Sequence, residues 1–179
     1  MSIDVLKERL PDYAQDLRTS LSVITSSTML TVQQAWGTAL ASAVTARNAE
    51  VVAAIAADAK LSPDAAAAAR GAAAIMGMNN IYYRFQHTMG EDSPYAHLPA
   101  RLRVQTFSKP GVGHVDFELW CLAASLINGC EKCVRDHEHT VRERGGTPEQ
   151  VQDAVRIAAV IHAVALTLDS TPAVPGVLG

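Results

Sequence analysis

Two of the chain's three cysteines, Cys130 and Cys133, fall within one stretch, NGCEKCVRDHEHTVRERGG, from Asn128 to Gly146. His137 follows the second cysteine by four residues. Asn128-Gly129 is a helix-breaking pair, so Cys130 stands at or near the start of a new helix. Unpaired N–H groups and the positive end of the helix dipole stabilise a thiolate there. Positions i, i+3 and i+7 share one stripe of a helix, each about a turn from the next. The two sulfurs are therefore within reach of a disulfide, and His137 can reach Cys133. A free thiol with a pKa of ~8.5 is only a few per cent thiolate at neutral pH. A shift of about two units downward would make thiolate the major form. A base and a helix end beside two thiols are the means to that shift.

Glu118 is the natural fourth member. If the chain reverses at Asn128-Gly129 as a helical hairpin, Glu118 and His137 come to lie side by side, at depths of about 16 and 12 Å from the turn. A carboxylate on the far nitrogen of His137 would fix its tautomer and raise its basicity. An ordinary solvated glutamate remains the alternative. Zinc is the rival chemistry, since Cys130, Cys133, His137 and Glu118 could supply four ligands. Structural zinc sites, however, usually draw ligand pairs from separate loops, whereas three of these candidates lie on one helix. A C-x-x-C at a helix start is the arrangement of dithiol oxidoreductases, and the spacing favours redox. Cys121 sits on an apolar helix face and reads as a small core residue. His139 points away from His137 and reads as surface; His162, in an apolar run, reads as a core histidine. His87, His97 and His114 have no evident partner. Tyr82, Tyr83 and Phe85 extend an apolar stripe that suits the core or a subunit contact.

The elements that must position these groups are helical throughout. The apolar pattern predicts helices over residues 3–10 and 12–24, parted by Pro11, then over 32–47 and 49–60. Ser62-Pro63-Asp64 is a strong helix start for an alanine-rich segment running to about residue 84. An irregular stretch over 89–99 and a short helix over 101–107 lead to helices over 115–127, 130–144 and 147–168. Residues 169–179 read as a flexible tail. No alternating strand pattern appears. The halves also resemble each other. Trp36 aligns with Trp120, and Ser62-Pro63-Asp64 meets Thr147-Pro148-Glu149 with one residue of slippage. Gln34 then faces Glu118, while Ala46, Ala49 and Ala53 face Cys130, Cys133 and His137. The reading is a single all-α domain, 1–179, with a degenerate internal repeat: a scaffold half over about 1–90 and a reactive half over about 100–168.

Composition narrows the function classes. The chain has 179 residues, 49% of them hydrophobic and 18% charged, which is globular rather than disordered. A net charge of −3 without a basic block gives no reason to expect nucleic acid. No secretory signal opens the chain, and the apolar runs are interrupted and short of the ~18–20 residues of a membrane span. The expectation is a cytoplasmic protein, where C-x-x-C is more often redox-active or metal-binding than a staple.

Met76–Asn80 (MGMNN), Phe117–Trp120 (FELW) and Ile127–Arg142 (INGCEKCVRDHEHTVR) closely resemble the alkyl hydroperoxide reductase D (AhpD) family of the carboxymuconolactone decarboxylase-like superfamily, and LPDYA from Leu10 also fits. The resemblance implies an all-helical fold, commonly a homotrimer, and a dithiol enzyme with no bound cofactor. In the family the dithiol takes electrons from dihydrolipoyl groups, such as those of a dihydrolipoamide acyltransferase. It passes them to the peroxiredoxin AhpC and reduces organic hydroperoxides weakly itself. Carried over, Glu118 and His137 form a proton relay, Cys133 is the activated sulfur and Cys130 its partner. One departure is Lys132, where the family can carry a second histidine. Helix-end electrostatics alone would instead activate Cys130. A zinc-binding structural protein, or a decarboxylase-like acid–base enzyme using Glu118 and His137, are the alternative readings.

Overall fold

The computed structural model describes residues 2–105 and 109–171. Among these it contains only helices and connecting turns: α1 (Ile3–Arg9), a 3-10 turn (Asp12–Ala14), α2 (Gln15–Ser20), α3 (Val23–Ser26), α4 (Val32–Ala46), α5 (Ala49–Asp58), α6 (Pro63–Met89), α7 (His114–Ile127), α8 (Glu131–Glu143) and α9 (Pro148–Ser170). The starts follow local chemistry. Thr31 and Thr147 each form a reciprocal capping box, with Gln34 and Gln150, and Ser62 caps α6 ahead of Pro63. The stop after α7 uses Gly129 at φ 70°, a left-handed conformation that glycine adopts without a Cβ clash.

The two halves repeat as α4–α5–α6 and α7–α8–α9, with matched Ser62-Pro63 and Thr147-Pro148 starts. Both halves pack into one core. α4 is central and buried nearly all round, in contact with α6, α7 and α9. Its alanines let the neighbouring backbones approach closely, which is why this core is built from so few aromatics. Trp120 is the largest side chain fully enclosed. Its indole N–H donates to the Gln34 carbonyl at 3.2 Å, and its ring lies directly on Gly37. The one helix long and apolar enough to cross a membrane, among the described residues, is α9. Ile157, Ile161, Val164, Ala165 and Leu168 on α9 are buried against the rest of the chain, as in a core helix.

Three boundaries differ from the sequence reading. Residues 12–24 form a 3-10 turn and two short helices instead of one helix, since their apolar positions anchor at Leu21 and Ile24 without a continuous stripe. Residues 101–104 are not helical: Arg101 takes a positive φ of 51°, which breaks the run, and residues 106–107 of that expected helix lie outside the described residues. α6 and α9 each run further than expected, α9 through Ser170 into the segment read as tail. The rest of that segment, 172–179, lies outside the described residues.

Two glycines on different helices give opposite expectations. A Cβ on Gly37 would overlap the Trp120 ring, so Gly37→Ala should destabilise the protein by about 1–3 kcal/mol through overpacking. Gly77 is helical with open space around it, so Gly77→Ala should stabilise by about 0.5–1 kcal/mol. Urea denaturation monitored by far-UV circular dichroism checks both signs.

Candidate active site

α7 and α8 form an antiparallel hairpin around Asn128-Gly129, and this hairpin assembles the expected quartet. Cys130 is the N-cap of α8, its sulfur accepting the Cys133 backbone N–H at 3.4 Å. Cys130 and Cys133 are joined by a disulfide across Cα atoms 5.3 Å apart, within the ordinary range for such a bond. One turn on, His137 Nδ1 lies 2.6 Å from Glu118 Oε2 of α7. Both residues of that pair are buried. A buried carboxylate left unpaired would be costly, so the imidazole completes Glu118 as much as Glu118 orients the imidazole.

Cys133, His137, Met76, Asn79, Tyr83 and Lys132 line a cleft of about 400 Å³ between α6 and α8. The Cys133 side of the disulfide lines this cleft, and Cys130 lines a second one with Ser125, Gly129 and Arg135. Lys132 stands at the edge of the first, half-exposed, with its ammonium 2.7 Å from Asp136. This exposed pair is screened by water and contributes little to stability.

The remaining candidates separate cleanly. Cys121 is buried in the core, where desolvation foremost, and then the charge of Glu118, push its thiol well above the ordinary thiol range. His139 is exposed and sits 3.1 Å from Glu143. His87, His97 and His114 are exposed too. His162 overturns its reading as a core histidine: α9 buries Ile157, Ile161, Val164 and Ala165, and position 162 falls on the solvent side of that stripe. Helical periodicity alone could have placed it. Among the described residues no group of three or more His, Cys, Asp or Glu side chains is arranged to hold a metal ion.

What the sequence reading missed lies in the first half. Met76 Sδ is 3.2 Å from His137 Nε2, and the same sulfur receives the Ser125 hydroxyl at 3.2 Å and the Asn80 amide at 3.6 Å. Asn80 also bonds Ser125 and Asn128, while Arg84 donates to the Asn128 carbonyl. The α4–α6 half is thus not an inert scaffold. Its signal was visible only as spacing, since Met76, Asn80 and Arg84 recur every four residues along α6.

An all-helical chain with a capped C-x-x-C helix beside a Glu–His pair defines a recognisable class. The family model for the carboxymuconolactone decarboxylase family matches residues 94–174, which contain the whole quartet. Proteins named alkyl hydroperoxide reductase AhpD match over nearly the full length. That of Gluconacetobacter diazotrophicus is 57% identical over 175 residues, covering 97% of this chain and 96% of its own. That of Rhodospirillum centenum is 52% identical, covering 98% and 95%. That of Frankia alni is 49% identical, covering 95% and 92%. The chain belongs to the AhpD family, within the carboxymuconolactone decarboxylase-like superfamily.

The buried thiol supplies a prediction. After reduction at pH 8, iodoacetamide should modify Cys130 and Cys133 but leave Cys121 untouched until the protein is unfolded, as read by peptide mass spectrometry. Because the folded state holds the Cys121 proton more tightly than the unfolded state, its contribution is intact below the thiol's ordinary value and is lost as pH rises above it. Alkaline unfolding should therefore be shallower in Cys121→Ala than in the parent.

Proposed function

We propose that this protein is a thiol–disulfide oxidoreductase that reduces alkyl hydroperoxides and the peroxiredoxin AhpC, with dihydrolipoyl groups as electron donor. The observation that carries the reading is the Cys130–Cys133 disulfide held one turn from a buried His137–Glu118 pair at 2.6 Å. In the reduced state Cys133 passes its proton to His137, whose Nδ1 is already engaged by Glu118. The thiolate attacks a peroxide oxygen. An S–O bond forms, the O–O bond breaks, and the leaving alkoxide takes the proton from His137. Cys130 then attacks the sulfenic sulfur of Cys133, and water leaves as the disulfide forms. A dihydrolipoyl dithiol restores both thiols by two exchange steps and is itself oxidised to the cyclic disulfide. With oxidised AhpC in place of peroxide, Cys133 attacks the partner's disulfide and Cys130 resolves the mixed disulfide.

No bound cofactor enters this cycle. A homotrimer in the cytoplasm, meeting the lipoyl arm of a dihydrolipoamide acyltransferase, completes the proposal; the relatives' names support its peroxide-reducing part. The family match favours one second reading, a decarboxylase-like acid–base enzyme in which Glu118 and His137 act and the cysteines do not.

A reconstituted assay with dihydrolipoamide, AhpC and an alkyl hydroperoxide should show peroxide loss that depends on this protein. Cys133→Ser should abolish it, and Glu118→Gln should lower kcat/KM about 10- to 100-fold, the lower part of the range for general acid–base groups. Full turnover in a Cys130→Ser/Cys133→Ser double variant would sink the dithiol reading. Stoichiometric zinc in the purified protein, lost together with folding, would replace it with a structural metal site.

A further inference from the structure

The stripe Met76, Asn80 and Arg84 of α6 touches both ends of the reactive hairpin. At one end, the Met76 sulfur stands 3.2 Å from Nε2 of His137. At the other, Asn80 accepts from the Asn128 side chain at 2.9 Å, and Arg84 donates to the Asn128 carbonyl at 2.8 Å, two residues before Cys130. Between them, Asn80 donates to Ser125 at 2.9 Å. Met76, Asn80 and Ser125 are all buried, whereas Asn128 is half-buried and Arg84 exposed.

The contact at Nε2 constrains the chemistry. Glu118 engages Nδ1, and Cys133 and His137 line the same cleft, so in the dithiol reading Nε2 is the ring atom that exchanges a proton with the thiol. A thioether has no hydrogen to give and serves only as a weak acceptor. A ring with a hydrogen on Nε2 therefore fits this wall, and a ring presenting a lone pair there does not. A carboxylate in the same place would hold that hydrogen more strongly and resist its release. The sulfur's own position is set from behind by the Ser125 and Asn80 donors. The ring is thereby held between a carboxylate on one side and a soft acceptor that does not titrate on the other.

We propose that Met76 is a positioning residue for the His137 relay, accepting the hydrogen that His137 Nε2 takes from Cys133 and so favouring the thiolate. This rests on the dithiol reading above. Ser125 and Asn80 tune it: each donor that occupies the sulfur weakens its acceptance from Nε2.

The test reads the thiolate directly, without peroxide or an electron donor. Reduced protein, freed of reductant, is alkylated with iodoacetamide from pH 5 to 10, and Cys133 is followed by site-resolved mass spectrometry. Met76→Leu keeps the volume but removes the acceptor. It should slow alkylation near pH 7 about three- to tenfold, the range of one hydrogen bond's net worth, and leave the alkaline plateau unchanged. Met76→Gln, which restores an acceptor on an unbranched chain, should return the rate to within about twofold of the parent. Ser125→Ala should move the profile the other way, raising the rate near neutrality, because the sulfur loses a competing donor. A parental profile in Met76→Leu, a loss equal at every pH, or Met76→Gln behaving as Met76→Leu would overturn the proposal. Should Met76→Leu fail to fold, Ser125→Ala decides alone, and an unchanged or slower rate overturns it. Failure here removes only the Met76 assignment. Absence of dihydrolipoamide-dependent peroxide turnover in the unsubstituted protein removes the functional reading instead.

Discussion

The contact between Glu118 and His137 constrains most of what surrounds it. A carboxylate taken out of water needs a partner, and here the partner comes from the neighbouring helix across a hairpin. The two side chains meet only if α7 and α8 run antiparallel in one register. That register is set by the turn at Asn128-Gly129, where Gly129 takes a left-handed conformation and Cys130 N–H bonds back to the Ser125 carbonyl at 3.0 Å. The same turn puts Cys130 at the N-cap of α8 and so Cys133 and His137 on the stripe that faces α6. Lengthening the turn by one residue would rotate that stripe by about 100° and part the base from its carboxylate. Sulfur pairing, base orientation and helix register are therefore one geometric condition.

The first half of the chain stabilises that condition from two sides. α4 supplies the surface on which Trp120 lies, so α7 cannot slide or rotate without lifting its indole from Gly37 and breaking its bond to the Gln34 carbonyl. Gln33 and Gln34 also donate to Asp116 at 2.7 and 2.8 Å, fixing the start of α7 two residues before Glu118. α6 then closes the other side with Met76, Asn80 and Arg84. The internal repeat gives this division of labour a simple physical form. Two helical triplets pack on one another, and the polar side chains around the Glu118–His137 pair are drawn from both.

Much of this was legible because it depends on local rules. Ser62-Pro63 and Thr147-Pro148 mark helix starts whatever packs around them, and Cys130, Cys133 and His137 share a stripe by helical geometry alone. Glu118 could be reached by counting residues from the turn. The α6 network could not, since a methionine and an asparagine within a helix look like a core side chain and a solvated one until another helix is laid against them. His162 was misread for a different reason: the apolar run around it was weighed by composition instead of by period. The short segments between residues 12 and 26 carry too few anchored positions for a periodic pattern to resolve their breaks. In each case the missing information is which face meets which neighbour, and that is a property of the packed chain.

The depth of the disulfide bears on how electrons could arrive in the proposed cycle. Cys130 is 1% exposed and Cys133 5%, so neither sulfur is offered to a flat protein surface. Thiol–disulfide exchange needs the attacking sulfur in line with the bond that breaks, so the two approaches are the cleft that Cys133 lines beside His137 and the one that Cys130 lines with Ser125 and Arg135. A dithiol at the end of a long, narrow arm can enter a space of about 400 Å³ between α6 and α8. Both sulfurs are thus reached through clefts and not from a flat surface, and in the proposed cycle that favours a partner that brings its sulfur on a slender chain.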